Sequence, residues 1–207
     1  MEPVSLAGID AWLADTGFAV FRLHAAAAAA ALAKRLGPVL DVTEVRIGDG
    51  RTYLNSADSV PAHTDHPAAR LILWYCRSAD GSGAGANLLV DARSAIRALP
   101  PRLQAELAGI ELACPGLRTL APTRTHPLYR VQGEQVFYAP WLCMEPRSDA
   151  LLAFERETGK PEHLRTILLR QGDALLIDNR RMLHKRDALP AGSARWLTRY
   201  WIGIGDG

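Results

Sequence analysis

The string PAHTDHP at 61–67 sets His63 and Asp65 two residues apart. In an extended strand the side-chain period is two, so this imidazole and this carboxylate project from one face while Thr64 and His66 need not. Together they offer two corners of a metal site. A third donor lies in LLIDNRRMLHKRD, where His184 follows an apolar strand and an asparagine turn. Two imidazoles and one carboxylate on one face of an antiparallel sheet would form the triad that holds non-haem Fe(II) and leaves positions open for O2 and a co-substrate. A polar pair at a strand end and a histidine satisfied within a turn would account for the same residues without a metal.

Eleven residues past His184 comes Arg195, followed at a spacing of four by Arg199 within RWLTRYW. On a strand both guanidinium groups, with Leu197 between them, enter one cavity beside apolar neighbours. Burying two such cations is costly without an anion, and a dicarboxylate offers the planar, bidentate partner that arginine fits. One of the two could equally serve a structural salt bridge.

The elements that must position these groups are legible as alternating patterns. Leu6, Ile9, Trp12 and Leu13 fall at helical spacing within residues 5–16, with Gly17 as a stop. FAVFRL then predicts a strand, and the alanine run from 25 continues into a helix stopped by Gly37 and Pro38. These first forty residues form a helical N-terminal support. VTEVRI (42–47) and RTYLN (51–55) flank a Gly48-Asp49-Gly50 turn, and RLILWYCR (70–77) reads as a core strand. NLLVDARSAIRALPPRLQAELAG begins as a strand and becomes two helices divided by Pro100 and Pro101. Residues 119–165 mix proline, aromatic and charged residues, with a strand at QVFYAP and helices over 149–158 and 161–165, and read as a lid or pocket-lining insert. RTILLR, DALLID, RMLHKRD and RWLTRYWIGIG follow as strands, the first two joined by a QGD turn.

Composition narrows the function. At 207 residues and 48% hydrophobic content, the chain has enough apolar surface for one domain spanning 1–207. Lys plus Arg number 24 against 22 Asp plus Glu, a net charge of +2 that supplies no field for a nucleic-acid backbone. Cys76, Cys114 and Cys143 lie far apart without a CxxC, which suggests a reducing compartment. The N-terminal residues lack a basic start followed by an apolar run, and the apolar stretch from His24 to Leu40 is broken by Lys34 and Arg35. The expected setting is therefore cytoplasmic, with neither a membrane nor a nucleic acid as partner.

HTD at 63–65, GSGAGANLLVDARSAI at 81–96, QGDALLIDNRRMLH at 171–184 and RWLTRYW at 195–201 together resemble the taurine dioxygenase and clavaminate-synthase-like group of Fe(II)/2-oxoglutarate dioxygenases. The resemblance spans residues 50–202 in the family's order. It implies a mainly β fold, a double-stranded β-helix or jelly roll with flanking helices. It also implies that His63, Asp65 and His184 ligate iron, and that Arg195 pairs with the distal carboxylate of 2-oxoglutarate while the keto-acid end chelates the metal. Asn87 stands where the family usually places a threonine beside that carboxylate, and its amide can still donate a hydrogen bond. Arg199 matches a position that touches either the co-substrate or an acidic group of the primary substrate.

The implied reaction consumes O2, splits 2-oxoglutarate to succinate and CO2, and removes a hydrogen atom from an unactivated C–H bond. Because Asp65 is a carboxylate and not a small residue, hydroxylation is favoured over halogenation. The expected partner is a small acidic or zwitterionic metabolite, an amino acid or a derivative that is free, carrier-bound or peptidyl, acted on by a monomer or homodimer. Arg93, Arg124, Arg130 and Arg147 border the expected pocket, and Trp74, Tyr138 and Trp141 could line it. Two rival readings remain at this level: a metal-dependent enzyme on the same barrel that does not use 2-oxoglutarate, and a non-catalytic small-molecule-binding protein.

Overall fold

The segment LILWYCRS shows how one strand serves two layers. Its odd positions Leu71, Leu73 and Tyr75 pack against helices, while Ile72, Trp74 and Cys76 face the opposite way into a second core. That double burial explains an almost unbroken apolar run where a half-exposed strand would alternate. The computed structural model describes residues 6–48, 54–114, 125–144 and 146–204.

In chain order the elements are α1 (Leu6–Thr16), β1 (Phe18–Arg22), α2 (Ala26–Leu36), β2 (Val39–Arg46), β3 (Val60–His63), β4 (Leu71–Ser78) and β5 (Asn87–Asp91). There follow α3 (Ala92–Arg97), α4 (Pro101–Ala108), β6 (Glu111–Ala113), β7 (Thr125–Pro127), β8 (Tyr129–Arg130) and β9 (Gln135–Val136). The chain closes with α5 (Asp149–Thr158), β10 (Leu164–Ile167), β11 (Asp173–Asp178), β12 (Met182–Arg186) and β13 (Trp196–Ile202). A five-stranded sheet runs β1-β11-β4-β13-β2 and a four-stranded sheet runs β10-β5-β12-β3. Every pairing in both is antiparallel. This is the double-stranded β-helix expected from the sequence.

Three apolar layers hold it. Ile72, Trp74, Leu175 and Leu197 of the larger sheet meet Leu89 and Met182 of the smaller between the two sheets. Helices α1 and α2 cover the outer face of the larger sheet through Ile9, Leu13, Leu32 and Ala33. Helices α3, α4 and α5 cover the smaller sheet, with Phe154 fully buried among Ile96, Leu107 and Leu183. Among the described residues no helix is long and apolar enough to cross a membrane.

Several expected boundaries shift. Trp12 turns outward while Ile9 and Leu13, an i, i+4 pair, are buried facing the sheet. Of RTYLN, residues 51–53 lie outside the described set, and Leu54 and Asn55 form a turn. The helix expected at 161–165 is a single 3-10 turn over Pro161–His163, after which Leu164 enters a strand by pairing with Val90. Within residues 149–165, α5 packs into the core against the smaller sheet and β10 is an edge strand of that sheet.

Truncating Phe154 to alanine should cost about 3–5 kcal/mol, because removing a fully buried ring leaves a cavity that its neighbours fill only in part. Urea unfolding of the variant checks it, and a loss under about 1 kcal/mol would contradict this packing.

Candidate metal centre

Strand β12 pairs with β3 so that His184 lies directly opposite His63, which brings the two ring centroids to 4.2 Å. Asp65 arrives differently from the expectation of one continuous strand. β3 ends at His63, and Thr64 and Asp65 belong to an irregular turn. The turn is held by its middle residue: Thr64 N–H donates to Tyr138 O at 2.7 Å, and Tyr138 N–H donates to Thr64 Oγ1 at 3.0 Å. Asn179 holds its other side, accepting from Asp65 N–H at 2.8 Å and donating to Ala69 O at 2.8 Å. An asparagine expected to shape the turn before His184 therefore also fixes the loop carrying Asp65.

The three side chains converge. Asp65 Oδ1 is 4.0 Å from His63 Nε2, and Oδ2 is 3.7 Å from His184 Nε2. One ligand atom from each residue lies within 4.8 Å of the others. His63 Nδ1 is 2.8 Å from Pro61 O, which assigns the proton there and leaves Nε2 as a lone-pair donor. His184 has no such bond at its buried Nδ1 and is oriented by packing between His63 and the edge of Trp74. Burial lowers the pKa of both imidazoles, with His184 pushed down to about 3, so both are neutral. Burial alone would raise the Asp65 pKa, but the Arg199 guanidinium, helped by the Trp201 N–H, outweighs it and holds the carboxyl below its usual range. Two neutral nitrogens and one ionised oxygen fit a divalent iron facially.

Asp65 is the most heavily tied group in the centre. Arg199 Nη1 donates to its two oxygens at 2.9 and 3.2 Å, and Trp201 Nε1 donates to Oδ2 at 2.9 Å. The Arg199 guanidinium also lies over the Trp201 ring at 4.7 Å. The sequence reading aimed Arg199 at a co-substrate or substrate acid. In the structure its Nη1 lies on the Asp65 carboxylate, which needs a cation beside it once buried, and Arg199 also lines the cavity that holds Arg195. Trp201 was not singled out from the sequence; its position two residues after Arg199, on the same strand face, was the available signal.

The other arginine faces a different partner. Arg195 Nη2 donates to Asn87 Oδ1 at 3.0 Å, and among the described residues Arg195 has no carboxylate within ion-pair distance. Burial, then the nearby Arg186, depress its pKa to about 10. Arg195, Leu197 and Arg199 line one cavity of about 430 Å³ including its mouth, together with Asn87, His63 and His184. Gly85, at φ +76°, lets the main chain pass close by: a Cβ there would sit 2.6 Å from Arg195 Cδ and 2.5 Å from Leu189 Cδ2. Arg186 was also missed. Its Nη2 donates to Ser56 O and Asp58 O at 2.7 and 2.6 Å, clasping that loop beside His184.

The remaining candidates divide. Trp74 lines the cavity, and Trp141, half exposed, stands 4.9 Å from the His63 ring. Tyr138 is buried in the core, its hydroxyl donating to Glu155, which also pairs with Arg147. Arg93 donates to Glu134 O and lies near Asp178, Arg130 faces a different cavity, and Arg124 lies outside the described residues. His66 stacks on Trp201 and approaches Cys114 Sγ at 3.4 Å.

The profile of the family described as taurine catabolism dioxygenase TauD, TfdA family matches residues 2–201. No curated protein matches the chain. Among solved structures, the chain is similar to an asparagine oxygenase in complex with Fe(II), 2S,3S-3-hydroxyasparagine and succinate, with TM-score 0.76, 16% identity, and 95% of this chain covered against 78% of that one. It is also similar to a taurine dioxygenase from Burkholderia xenovorans, with TM-score 0.74 and 20% identity over 100% of this chain and 82% of that one. A third, AAD-2 in complex with Mn(II) and N-oxalylglycine, has TM-score 0.74 and 16% identity, covering 99% and 90%. At these identities the likeness is one of fold.

Trp201→Phe keeps a ring beneath Arg199 and removes the N–H bond to Asp65. Mn(II) or Fe(II) affinity should fall about 10–100-fold with little change in melting temperature. Unchanged affinity in a direct metal titration would remove Trp201 from the support of the centre.

Proposed function

This chain belongs to the taurine catabolism dioxygenase TauD, TfdA family, and we propose on that basis which of its groups carry each part of an Fe(II)- and 2-oxoglutarate-dependent hydroxylation. When bound, iron with 2-oxoglutarate and O2 supplies the oxidant that attacks an unactivated C–H bond, with succinate and CO2 as co-products. His63, Asp65 and His184 hold the metal on one face and leave the cavity side open. Arg199 and Trp201 keep Asp65 ionised and fixed in rotation, so the ligand oxygen does not wander.

Arg195 is the clamp for the distal carboxylate of 2-oxoglutarate. The observation that carries this reading is a buried guanidinium without a carboxylate partner among the described residues, in the same cavity as both histidines. Leaving such a charge unpaired is costly, and an anion bound beside it offsets that cost. Asn87 spends its Oδ1 on Arg195 and so orients the guanidinium, leaving its amide N–H groups for the diacid. In this role Asn87 acts first on the arginine and second on the co-substrate.

The primary substrate is a small molecule, amino-acid-like or acidic, free or joined to a carrier or peptide. The half-exposed Trp141 beside His63 supports an apolar or planar portion near the reacting carbon. The described part of the expected lid, residues 125–144, supports a pocket-lining role, because Tyr138 is hydrogen-bonded to the Thr64 turn and Trp141 touches His63. One domain over 1–207 is supported by sheet pairing in which β1 and β2 flank β11 and β13 from the far end of the chain. Three free thiols support a reducing, cytoplasmic setting.

Anaerobic addition of Fe(II) and 2-oxoglutarate should give the weak visible charge-transfer band of the chelate. Arg195→Ala should weaken 2-oxoglutarate binding by about 30-fold or more while iron still binds. A folded, iron-loaded protein without the band would overturn the assignment. Gly85→Ala should act in the same direction by displacing Arg195: its 2-oxoglutarate KM rises about tenfold or more with iron affinity kept. An unchanged KM would show that the close approach does not position the clamp.

A further inference from the structure

A second cavity, about 590 Å³ including its mouth, lies on the other side of the Thr64–Asp65 turn and shares no lining residue with the Arg195 cavity. Arg130, Arg180, Gln135 and His126 line it. The main chain fixes how the cations are presented. Arg130 and Gln135 are opposite partners in the β8–β9 hairpin. The main chain of Arg180 is held on both sides of its Cα: its N–H donates to Asp178 Oδ1 at 2.9 Å, and its carbonyl accepts from Val136 N–H at 2.8 Å.

The charges there do not balance. Among the described residues, neither the Arg130 nor the Arg180 side chain makes an ion pair or a hydrogen bond. The nearby carboxylates are already engaged, Asp65 with Arg199 and Trp201, and Asp178 with Arg93 and the Arg180 amide. Burial depresses the pKa of the half-buried Arg180, Asp178 opposes that, and Arg70 and Arg130 add to it. Two guanidinium groups in a recess, with a third nearby, constitute a place where an anion lowers the energy of the fold. His126 Nδ1 is turned to Pro127 O, leaving Nε2, while Gln135 offers an amide.

We propose that this recess is an oxyanion-binding site, separate from the Arg195 clamp, that takes a phosphate, sulfate or carboxylate group between Arg130 and Arg180. The group is either a free oxyanion or the acidic end of a substrate, and only the second source rests on the oxygenase reading. Either one uses the same fork of guanidinium donors.

Isothermal titration of inorganic phosphate into the metal-free protein, with chloride at equal ionic strength as control, tests the site without any turnover. Binding should be weakened about tenfold or more by Arg180→Gln and by Arg130→Gln, and should survive Arg195→Gln. Arg130 is exposed in a hairpin, so its variant keeps the test open if Arg180→Gln fails to fold. Sub-millimolar phosphate marks a free-oxyanion site. Millimolar phosphate with about tenfold tighter O-phospho-L-serine marks the acidic end of an amino-acid-like substrate. Three results would overturn the proposal: no saturable phosphate heat, an equal response to chloride, or binding lost in Arg195→Gln and untouched by the other two variants. None of them bears on the charge-transfer band, so this site and the oxygenase assignment fail independently.

Discussion

A carboxylate buried between two imidazoles must be kept charged and kept still, and most of the centre can be understood as the means of doing both. Asp65 loses its hydration on entering the space between the sheets, which by itself would favour the neutral acid. Arg199 supplies the opposing charge, Trp201 a neutral donor, and Asn179 fixes the main chain to which the side chain is attached. These groups come from β13 and the β11–β12 turn, far from Asp65 in sequence. The site therefore exists only once the double sheet has closed, and its local precision is inherited from long-range strand pairing.

That pairing converts a period of two into function. On β12, Leu183 faces the outer helices and His184 faces the space between the sheets. On β13, Arg199 takes the inner face and Tyr200 the helix-covered face, and Leu197 shares the inner face with Arg199. A slip of one residue would send His184 into the core beside Phe154 and bring Leu183 to the metal, so the register is enforced by apolar packing on both sides. The outer helices thereby contribute to the chemistry without approaching it. They make the wrong register expensive.

The parts legible in the sequence are those whose signal is local or repeats at the strand period. His63 and Asp65 two apart, His184 after an apolar strand, and Arg195 and Arg199 four apart were all visible, as was the alternation that predicts the sheets. What was not legible depended on tertiary context. Arg199 has a position compatible with a ligand clamp, and only the folded distance to Asp65 shows where its charge is spent. Trp201 reads as one more core aromatic until its N–H is seen to meet Oδ2. Leu164 begins a strand because Val90 stands opposite it, a fact absent from the string PEHLR. Asn179 was assigned to the correct turn but to only half its work, since its second set of partners lies more than one hundred positions away.

The near neutrality of the chain, +2 over 207 residues, conceals a strong internal segregation of charge. Arg195 and Arg186 lie on one side of the metal carboxylate and Arg130 and Arg180 on the other, with Arg199 bound to it. Net charge sums over the surface and predicts no field for nucleic acid. The local potential around Asp65 is set chiefly by Arg199, in a poorly hydrated setting where its charge acts over a longer effective range than it would in water. The same distribution does two things: Arg199 keeps the one acidic ligand ionised, and Arg195 on one flank with Arg130 and Arg180 on the other carry guanidinium groups that find no carboxylate partner among the described residues. The two tasks are divided between the cations: removing Arg199 would favour protonation of the ligand, whereas removing Arg195 would take a charge from the co-substrate cavity and leave Asp65 its own partners.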